Sequence, residues 1–435
     1  MTLVFSNNHK VSKSLLSNFD YFYFFVVVIY AAMAVPATKS MMRPDGGLIA
    51  YAIPWGLTLF IVLKHRVQFN NKNLAAVIAL FMLWVTLQTL KVGIFYVGSI
   101  IFLGNILIAY ILIKVYDFRM FFLYEKVVTF MAALSIFFWL LQVIIPGPFS
   151  AFMMATSIYD FPSGHTITAN NVAFSLSGNL RGLIEGHSIP RNAGFSWEPG
   201  RYSSMLLFAL FFNIIRKKFD VLNNKPFWIL LAALLTTQST TGYACFLIII
   251  FMIVFNKDAK VATFATPFIV LPIVGGMFFL PFMADKVANI WFNQESLDAI
   301  QIQVDYHESV DNFYGIKVVP QRFDSIAYQF MNVTDSPLLG YGLDPINSYV
   351  QREISPLISP TGGIIRQFSQ FGVLIGILCY FSLYKSSVWF SKFFGYKGEW
   401  WLFSLFTLLS VSYSFWIVPI FMSLWMFPLF HSKSR

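Results

Sequence analysis

Hydrophobic residues occur along this chain in long runs that hold no charged residue and are separated by short polar segments. Because a helix needs roughly 20 apolar residues to cross a bilayer, the pattern predicts an all-α, polytopic transmembrane helix bundle. It forms a single integral membrane domain, residues 1–435. The twelve predicted spans are residues 21–36, 48–63, 74–90, 94–113, 127–146, 201–215, 226–238, 241–255, 261–283, 363–384, 401–416 and 418–430.

Two of these runs are interrupted by polar residues, so that each predicts either one long helix or two short ones. The run between Lys225 and Lys257 is broken at residues 236–242, and the run between Glu399 and His431 is broken near residues 412–414. Merging the first pair would place the acidic segment 284–361 in the cytoplasm, against the charge bias described next. We therefore predict two short spans.

Composition and charge placement agree with a membrane protein. The chain is 57% hydrophobic and only 11% charged, whereas soluble domains carry about 25% charged residues. With both termini in the cytoplasm, 19 of the 30 basic residues but only 6 of the 20 acidic ones lie on the cytoplasmic side. This is the positive-inside bias. The net charge of +10 then reflects topology, and no nucleic-acid-binding motif accompanies it.

Two long loops, residues 147–200 and 284–362, are predicted on the non-cytoplasmic side. Loops of this length in a compact protein are usually functional or disordered, and apolar residues are spread through both. In the second loop, residues 323–331 have helical spacing, which predicts an amphipathic helix against the membrane. No charged residue lies in the middle of a predicted span, which argues against ion-coupled transport.

Arginine is concentrated in the predicted non-cytoplasmic segments, whereas lysine dominates on the cytoplasmic side. The guanidinium group is a planar, permanently charged fork suited to binding phosphate with two hydrogen bonds. The alternative is that these side chains are solvated loop charges or reach from helix ends to the interface. The arginines of the two long loops and the span ends beside them are Arg181, Arg191, Arg201, Arg322, Arg352 and Arg366.

The segment Phe195–Arg201 joins the first long loop to the sixth predicted span. Its Glu198-Pro199-Gly200 sequence favours a turn, which places the carboxylate of Glu198 next to the guanidinium of Arg201. The alternative is a helix start with an exposed ion pair of little energetic value.

Metal, disulfide and phosphatase chemistry are not predicted. The His and Cys residues form no metal-ligand cluster, and both Cys residues fall inside predicted spans. The sequence Pro162-Ser163-Gly164-His165 matches one of three motifs of lipid-phosphate phosphatases, but the other two motifs are absent. We therefore expect neither a metal nor another cofactor.

Two segments together resemble the O-antigen polymerase and ligase superfamily of bacterial membrane glycosyltransferases. One is Phe195–Leu210 with the following Leu234–Gly242, and the other runs from Arg322–Asp324 through Pro337–Gly342 to Phe371–Gly376. The predicted number of spans, the two outer loops and the order of motifs are similar as well. Arg352 is followed by ten residues and then Gly363, which resembles an Arg-x10-Gly pattern of some polymerases, but no such spacing starts from Arg191 or Arg201.

The resemblance implies a fold of the GT-C type in the bacterial inner membrane, with an active site that faces the periplasm. It also implies a polysaccharide repeat-unit polymerase, which transfers a growing glycan from polyprenyl pyrophosphate to another lipid-linked repeat unit. The substrate is then an undecaprenyl-pyrophosphate-linked oligosaccharide, and a chain-length regulator and a flippase are candidate partners. The implied catalytic residues are Glu198 as general base, Arg191 and Arg322; the implied substrate-binding residues are Arg201, Arg352, Arg366, Trp197, Tyr202 and Tyr341.

Two alternatives stay open at this point. An O-antigen ligase transfers the finished glycan to a lipid acceptor, and ligases are expected to carry a periplasmic His just before the tenth span, where this chain has Ser359–Gly363 without His. A flippase for lipid-linked oligosaccharides also has many spans, but is expected to show charged residues within them and shorter outer loops.

Overall fold

The computed structural model of the protein describes residues 17–31, 47–157, 159–163, 166–171, 173–176, 189–196, 198–257, 320, 322–360 and 363–431. The ninth predicted span, residues 261–283, lies outside the described residues. The helices are α1 (Asn18–Ala31), α2 (Gly47–Lys64), α3 (Lys72–Val92), α4 (Gly98–Ile111, continued by a π-helical turn, Leu112–Tyr116), α5 (Arg119–Ile144), α6 (Pro146–Ala155), α7 (Pro199–Arg216), α8 (Lys225–Thr236), α9 (Thr240–Lys257), α10 (Arg322–Asp335), α11 (Gly363–Phe371), α12 (Val373–Phe394), α13 (Trp401–Ser412) and α14 (Pro419–Phe430).

The bundle is helical, as predicted, and a small hairpin in the first long loop is the exception to the all-α expectation. In this hairpin β1 (Tyr159–Ser163) pairs antiparallel with β2 (Thr166–Asn170). The predicted amphipathic helix of the second loop is confirmed as α10, which ends at Asp335.

The helices of the described ranges are those of a membrane-embedded bundle. Five of them are long and apolar enough to cross a membrane, namely α3, α4 with its π-helical extension, α5, α9 and α12. Five shorter apolar helical stretches accompany them, within α1, α2, α8, α13 and α14. Large apolar side chains such as Leu83 and Leu90 are exposed on the outer faces. A surface this apolar suits lipid and not water.

Helix α7 lies at the centre of the bundle. From Tyr202 to Ile215 every residue is buried, and α5, α8 and α9 pack around it. Its polar residues lie near its two ends, with Arg201 and Ser203 at the start and Asn213 and Arg216 at the end. Helix α7 therefore joins two polar layers across an apolar core.

Helix α8 runs antiparallel to α7. Its capping residue Asn224 exchanges hydrogen bonds with Asn213, near the last turn of α7. Past the other end of α8, the hydroxyl of Ser203 in the first turn of α7 donates to Ser239 Oγ at 3.2 Å. Between Asn224 and Ser239 the chain therefore runs along α7 from near its last turn to its first turn.

Helix α9 then runs back along the same path. Asn256 in its last turn donates to the carbonyl of Lys397 at 3.1 Å, and the neighbouring Tyr396 ring packs on Phe211 near the end of α7. The chain reverses at residues 237–239, where Gln238 has a φ of 49°. The prediction of two helices between Lys225 and Lys257 is therefore confirmed and one long helix is excluded, although only α8 is short and α9 is long enough to cross a membrane.

The second interrupted run also reverses. Ser412 at the end of α13 lies 3.3 Å from the hydroxyl of Thr241, at the start of α9. Helix α14 ends where His431 meets Asp117, just before α5. Between α13 and α14 most of residues 413–418 are buried without being helical, which a membrane protein tolerates only where protein or a cavity surrounds the backbone.

The tenth predicted span, residues 363–384, is wrong as a single helix. The structure has a short helix α11 followed by α12, with a break at Gly372, whose φ is 86°. The apolar pattern runs through this break, so that hydropathy alone does not reveal it.

Two buried carboxylates lie at the end of the bundle that carries Arg216. Glu125 accepts hydrogen bonds from Nε and Nη2 of Arg216 at 2.6 and 2.5 Å, and another from Asn213. Asp20, on α1, accepts from Lys64 and lies 2.8 Å from His65. Their pairing explains how these carboxylates are buried, since an unpaired charge there would be costly.

Candidate functional site

The two parts of the second motif segment meet in space. The segment Pro337–Gly342 pairs with the end of α11 through backbone hydrogen bonds from Tyr341 N to Ser369 O (2.8 Å) and from Gly342 N to Gln370 O (3.0 Å). Val373 N, past the break, donates to Pro337 O at 2.8 Å. The loop motif and the helix break are thus one local structure.

Glycine is required at two positions of this junction. Gly340 and Gly372 both have a positive φ, and a Cβ atom at either would collide with backbone, at Gln370 in the first case and Leu338 in the second. Only glycine meets both demands without strain. This accounts for the glycines of the motif by packing, independently of any catalytic role.

Helix α3 anchors the same junction from the other side. Trp84 Nε1 donates to Leu339 O at 3.0 Å, and Gln88 Nε2 donates to Gly340 O at 3.0 Å. Lys91 donates to Ser336 Oγ at 2.6 Å. The second loop is therefore held at one end of the bundle by polar groups from a membrane helix.

Glu198 lies at the start of α7 and is bound by a residue that sequence reasoning missed. The hydroxyl of Tyr413, in the break after α13, donates to Glu198 Oε1 at 2.6 Å. Glu198 is the N-terminal cap residue of α7 by position, but its side chain makes no capping hydrogen bond. The carboxylate is therefore oriented by a phenol from another part of the chain.

Arg201 lies one turn further along α7, above the same tyrosine. Its guanidinium carbon is 5.6 Å from the centre of the Tyr413 ring, a distance at which the cation is attracted to the ring face. The charges of Glu198 and Arg366 both act on Arg201, yet no ion pair within 4.0 Å joins Arg201 to a described carboxylate. The predicted neighbourhood of Glu198 and Arg201 is thus seen, with Tyr413 bridging the two side chains.

Arg366, on α11, completes this group. It lies beside Tyr341, whose pKa is raised by burial although the positive charge of Arg366 opposes the rise. Arg366 Nε is buried and has no hydrogen-bond partner among the described residues. We call Glu198, Arg201, Arg366 and Tyr413 the arginine site.

Other polar atoms near the arginine site are buried and without a partner in the described part of the chain. A native protein leaves few such atoms unsatisfied, so the ones near the two guanidinium groups are available to polar ligand atoms or to water. Besides Arg366 Nε, these atoms are Ser196 Oγ, Gln367 Oε1, Gln370 Oε1 and Ser410 Oγ.

The remaining predicted arginines lie elsewhere. Arg191 Nε donates to Thr237 O at 3.2 Å, in the reversal between α8 and α9, which supports a structural role there. Arg352 is 40% exposed and pairs with Asp335 at 3.2 Å and with Glu353 at 3.7 Å. Arg322 begins α10, and its side chain lies outside the described ones.

Two of the three aromatic residues predicted to bind substrate are buried. Tyr202 is fully buried, and its hydroxyl lies 2.7 Å from Ser135 Oγ, so it presents no ring face to a ligand. Tyr341 is also buried. Trp197 lies outside the described residues.

A better aromatic candidate is Tyr96, in the connection between α3 and α4. Its side chain is 39% exposed. Burial and the charge of Asp344 raise the pKa of Tyr96, while the positive charge of Arg366 opposes the rise. No sequence signal marks this residue, because Tyr96 lies within an apolar run.

Compared with known proteins, the chain matches no family model, no curated protein and no solved structure. The resemblance carried by its motifs therefore stays a prediction.

Proposed function

We propose that the protein is a polysaccharide repeat-unit polymerase of the bacterial inner membrane. The observation that carries the proposal is the arginine site, where two guanidinium groups, a carboxylate and a phenol from three separate chain segments meet at one end of a membrane-embedded bundle. The segments that meet there include both motif regions on which the resemblance rests.

The chemistry of this reaction suits the site. A hydroxyl of one lipid-linked repeat unit attacks the anomeric carbon of a glycan on polyprenyl pyrophosphate, the bond from that carbon to the pyrophosphate oxygen breaks, and the hydroxyl proton leaves. Negative charge develops on the departing pyrophosphate. Preorganised positive groups stabilise such charge best in a site with little water, and this electrostatic contribution is usually the largest in catalysis.

Each residue of the arginine site has a role in this proposal. Arg201 and Arg366 bind the pyrophosphate, since neither is neutralised by an ion pair with a described carboxylate and Arg366 Nε has no partner in the described structure. Glu198 accepts the proton of the attacking hydroxyl. Tyr413 orients Glu198 through its hydrogen bond and is a positioning residue.

The direct test is polymerisation by the purified protein. Incubated with a lipid-linked repeat unit in nanodiscs, the wild-type protein should yield a ladder of longer glycans on the lipid. Absence of a ladder with the correct repeat unit would overturn the proposed function. Transfer of glycan to a separate acceptor lipid without a ladder would identify a ligase, and movement of the lipid between leaflets without elongation would identify a flippase.

A further inference from the structure

An apolar groove opens towards the membrane beside the arginine site. It has a volume of about 390 Å³ and lies between α3, α4, α12 and α14, with α11 at one end. Among its lining residues, Leu80, Leu378 and Phe381 are exposed on the outer face of the bundle, so a lipid chain can enter sideways. We call it the α3/α12 groove.

The α3/α12 groove runs along α12. Its lining extends on this helix from Ile375 to Lys385, which are ten residues, roughly 15 Å of helix, apart. At the end nearer α11, the ring of Phe371 packs against the rings of Trp84 and Phe102. This shape accommodates one extended apolar chain.

The polar end of the groove adjoins the arginine site. Gln367 lines the groove, follows Arg366 in sequence, and contacts Ser414 at 3.4 Å, the residue after Tyr413. A lipid with its chain in the groove therefore places its headgroup at Arg366.

We propose that the α3/α12 groove binds the polyprenyl chain of the lipid-linked substrate, with its phosphate headgroup held by Arg366 and Arg201. This inference rests on the proposed function. An isoprenoid lipid has one apolar chain for each anionic headgroup, whereas a phospholipid has two apolar chains. A single groove beside a single cationic site therefore fits an isoprenoid lipid. Because the tails of the surrounding lipids are as apolar as the groove, the hydrophobic effect does not favour one lipid over another. Packing in the groove and binding of the headgroup must therefore supply the preference for a polyprenyl lipid over a phospholipid.

The test uses a polyprenyl phosphate that carries a photoreactive diazirine in its chain, incorporated with the full-length protein in phospholipid nanodiscs. After irradiation, mass spectrometry should find the label in residues 77–84 and 375–382. Excess undecaprenyl phosphate should suppress labelling, and phosphatidylglycerol at the same mole fraction should not. Labelling elsewhere, or equal competition by phosphatidylglycerol, would overturn the proposal.

A matched pair of variants tests the groove itself. Cys379 lines the groove, whereas Ile377 on the same helix is 54% exposed and does not line it. Cys379→Trp should fill the groove and lower labelling at least about tenfold, since even one methylene in an apolar pocket changes binding measurably; Ile377→Trp should leave it within about twofold. Equal labelling in both variants would contradict the proposal.

A second substitution at the same position keeps the test independent of a folding defect in Cys379→Trp. Cys379→Ala enlarges the groove and should keep both the label and a helical circular dichroism spectrum, so loss of the label in folded Cys379→Ala would also contradict the proposal. Labelling needs no glycan transfer. If the groove binds the polyprenyl chain and no ladder forms, the proposed function fails while the groove proposal stands.

Discussion

The hydroxyl of Tyr413 donates a hydrogen bond to Glu198 Oε1 over 2.6 Å and joins two positions that are 215 residues apart in the chain. The ring of the same tyrosine lies beneath the guanidinium of Arg201. One side chain therefore sets both the orientation of the carboxylate and the surface on which the cation rests.

Replacing Tyr413 by Phe keeps the ring and removes only the hydrogen bond. A hydrogen bond to a charged group contributes about 1.5–3 kcal/mol, so the rate of ladder extension should fall roughly tenfold to a hundredfold. The KM for the lipid-linked repeat unit should change little, because Arg201 still has its aromatic partner.

Tyr396→Phe is the matched control for this variant. Tyr396 is also buried, but its hydroxyl has no hydrogen-bond partner among the described residues. Its variant should polymerise at the wild-type rate. Equal losses in the two variants would show that Tyr413 acts through packing and not through Glu198.

Arg201→Ala and Arg366→Ala should each lower the polymerisation rate about a hundredfold to a thousandfold, as for the loss of one donor to a developing oxyanion. Lysine at either position should recover only part of the rate, because it keeps the charge and loses the planar fork.

The variant Arg352→Ala tests whether the catalytic centre lies at the arginine site or in the second long loop. Arg352 is exposed and paired with Asp335, and exposed pairs contribute about 0–1 kcal/mol. Initial rates of ladder formation should therefore stay close to wild type. If Arg352→Ala loses as much as Arg201→Ala, the catalytic centre lies in the second loop and not at the arginine site.

Most of the described helices were predictable from the sequence because charge-free runs mark apolar helices whatever their partners, whereas α6 (Pro146–Ala155) lies almost wholly within the predicted first long loop. The reversal between α8 and α9 was predictable too, since hydroxyl-rich residues interrupt the run and charge placement demands two helices. The break at Gly372 was not, because Gly372 is flanked by apolar residues and the close approach of the Leu338 carbonyl that requires a glycine there arises only in the folded structure.

The site residues also divide into those that the sequence predicts and those that only tertiary packing reveals. Glu198 and Arg201 are close in sequence and therefore close in space. Tyr202 follows Arg201 directly, but successive residues on a helix point about 100° apart, so that it faces Ser135 in the core. Tyr413 comes from a distant apolar run, and only tertiary packing brings it to Glu198.

Gly372→Ala should destabilise the protein through two effects. A positive φ costs a residue with a side chain about 1–3 kcal/mol, and the Cβ would also collide with the Leu338 carbonyl. Gly395 has a φ of 68° and nothing within 4 Å of an added Cβ, so Gly395→Ala carries only the first cost. The denaturant midpoint, followed by circular dichroism in micelles, should fall further for Gly372→Ala; equal shifts would contradict the proposed contact.

The last prediction concerns the opposite end of α7. Glu125→Ala leaves the guanidinium of Arg216 partly buried without its carboxylate, and breaking a buried pair on one side costs about 3–5 kcal/mol. Glu399 pairs with Lys392 at 3.6 Å on the surface, so Glu399→Ala should cost less than about 1 kcal/mol. Because removing both charges leaves no unpaired ion, the double variant Glu125→Ala, Arg216→Met should be more stable than Glu125→Ala alone. Unfolding midpoints of the three variants in micelles measure these differences, and a double variant no more stable than Glu125→Ala would show that the cost lies in lost packing around Asn213 and not in the uncompensated charge.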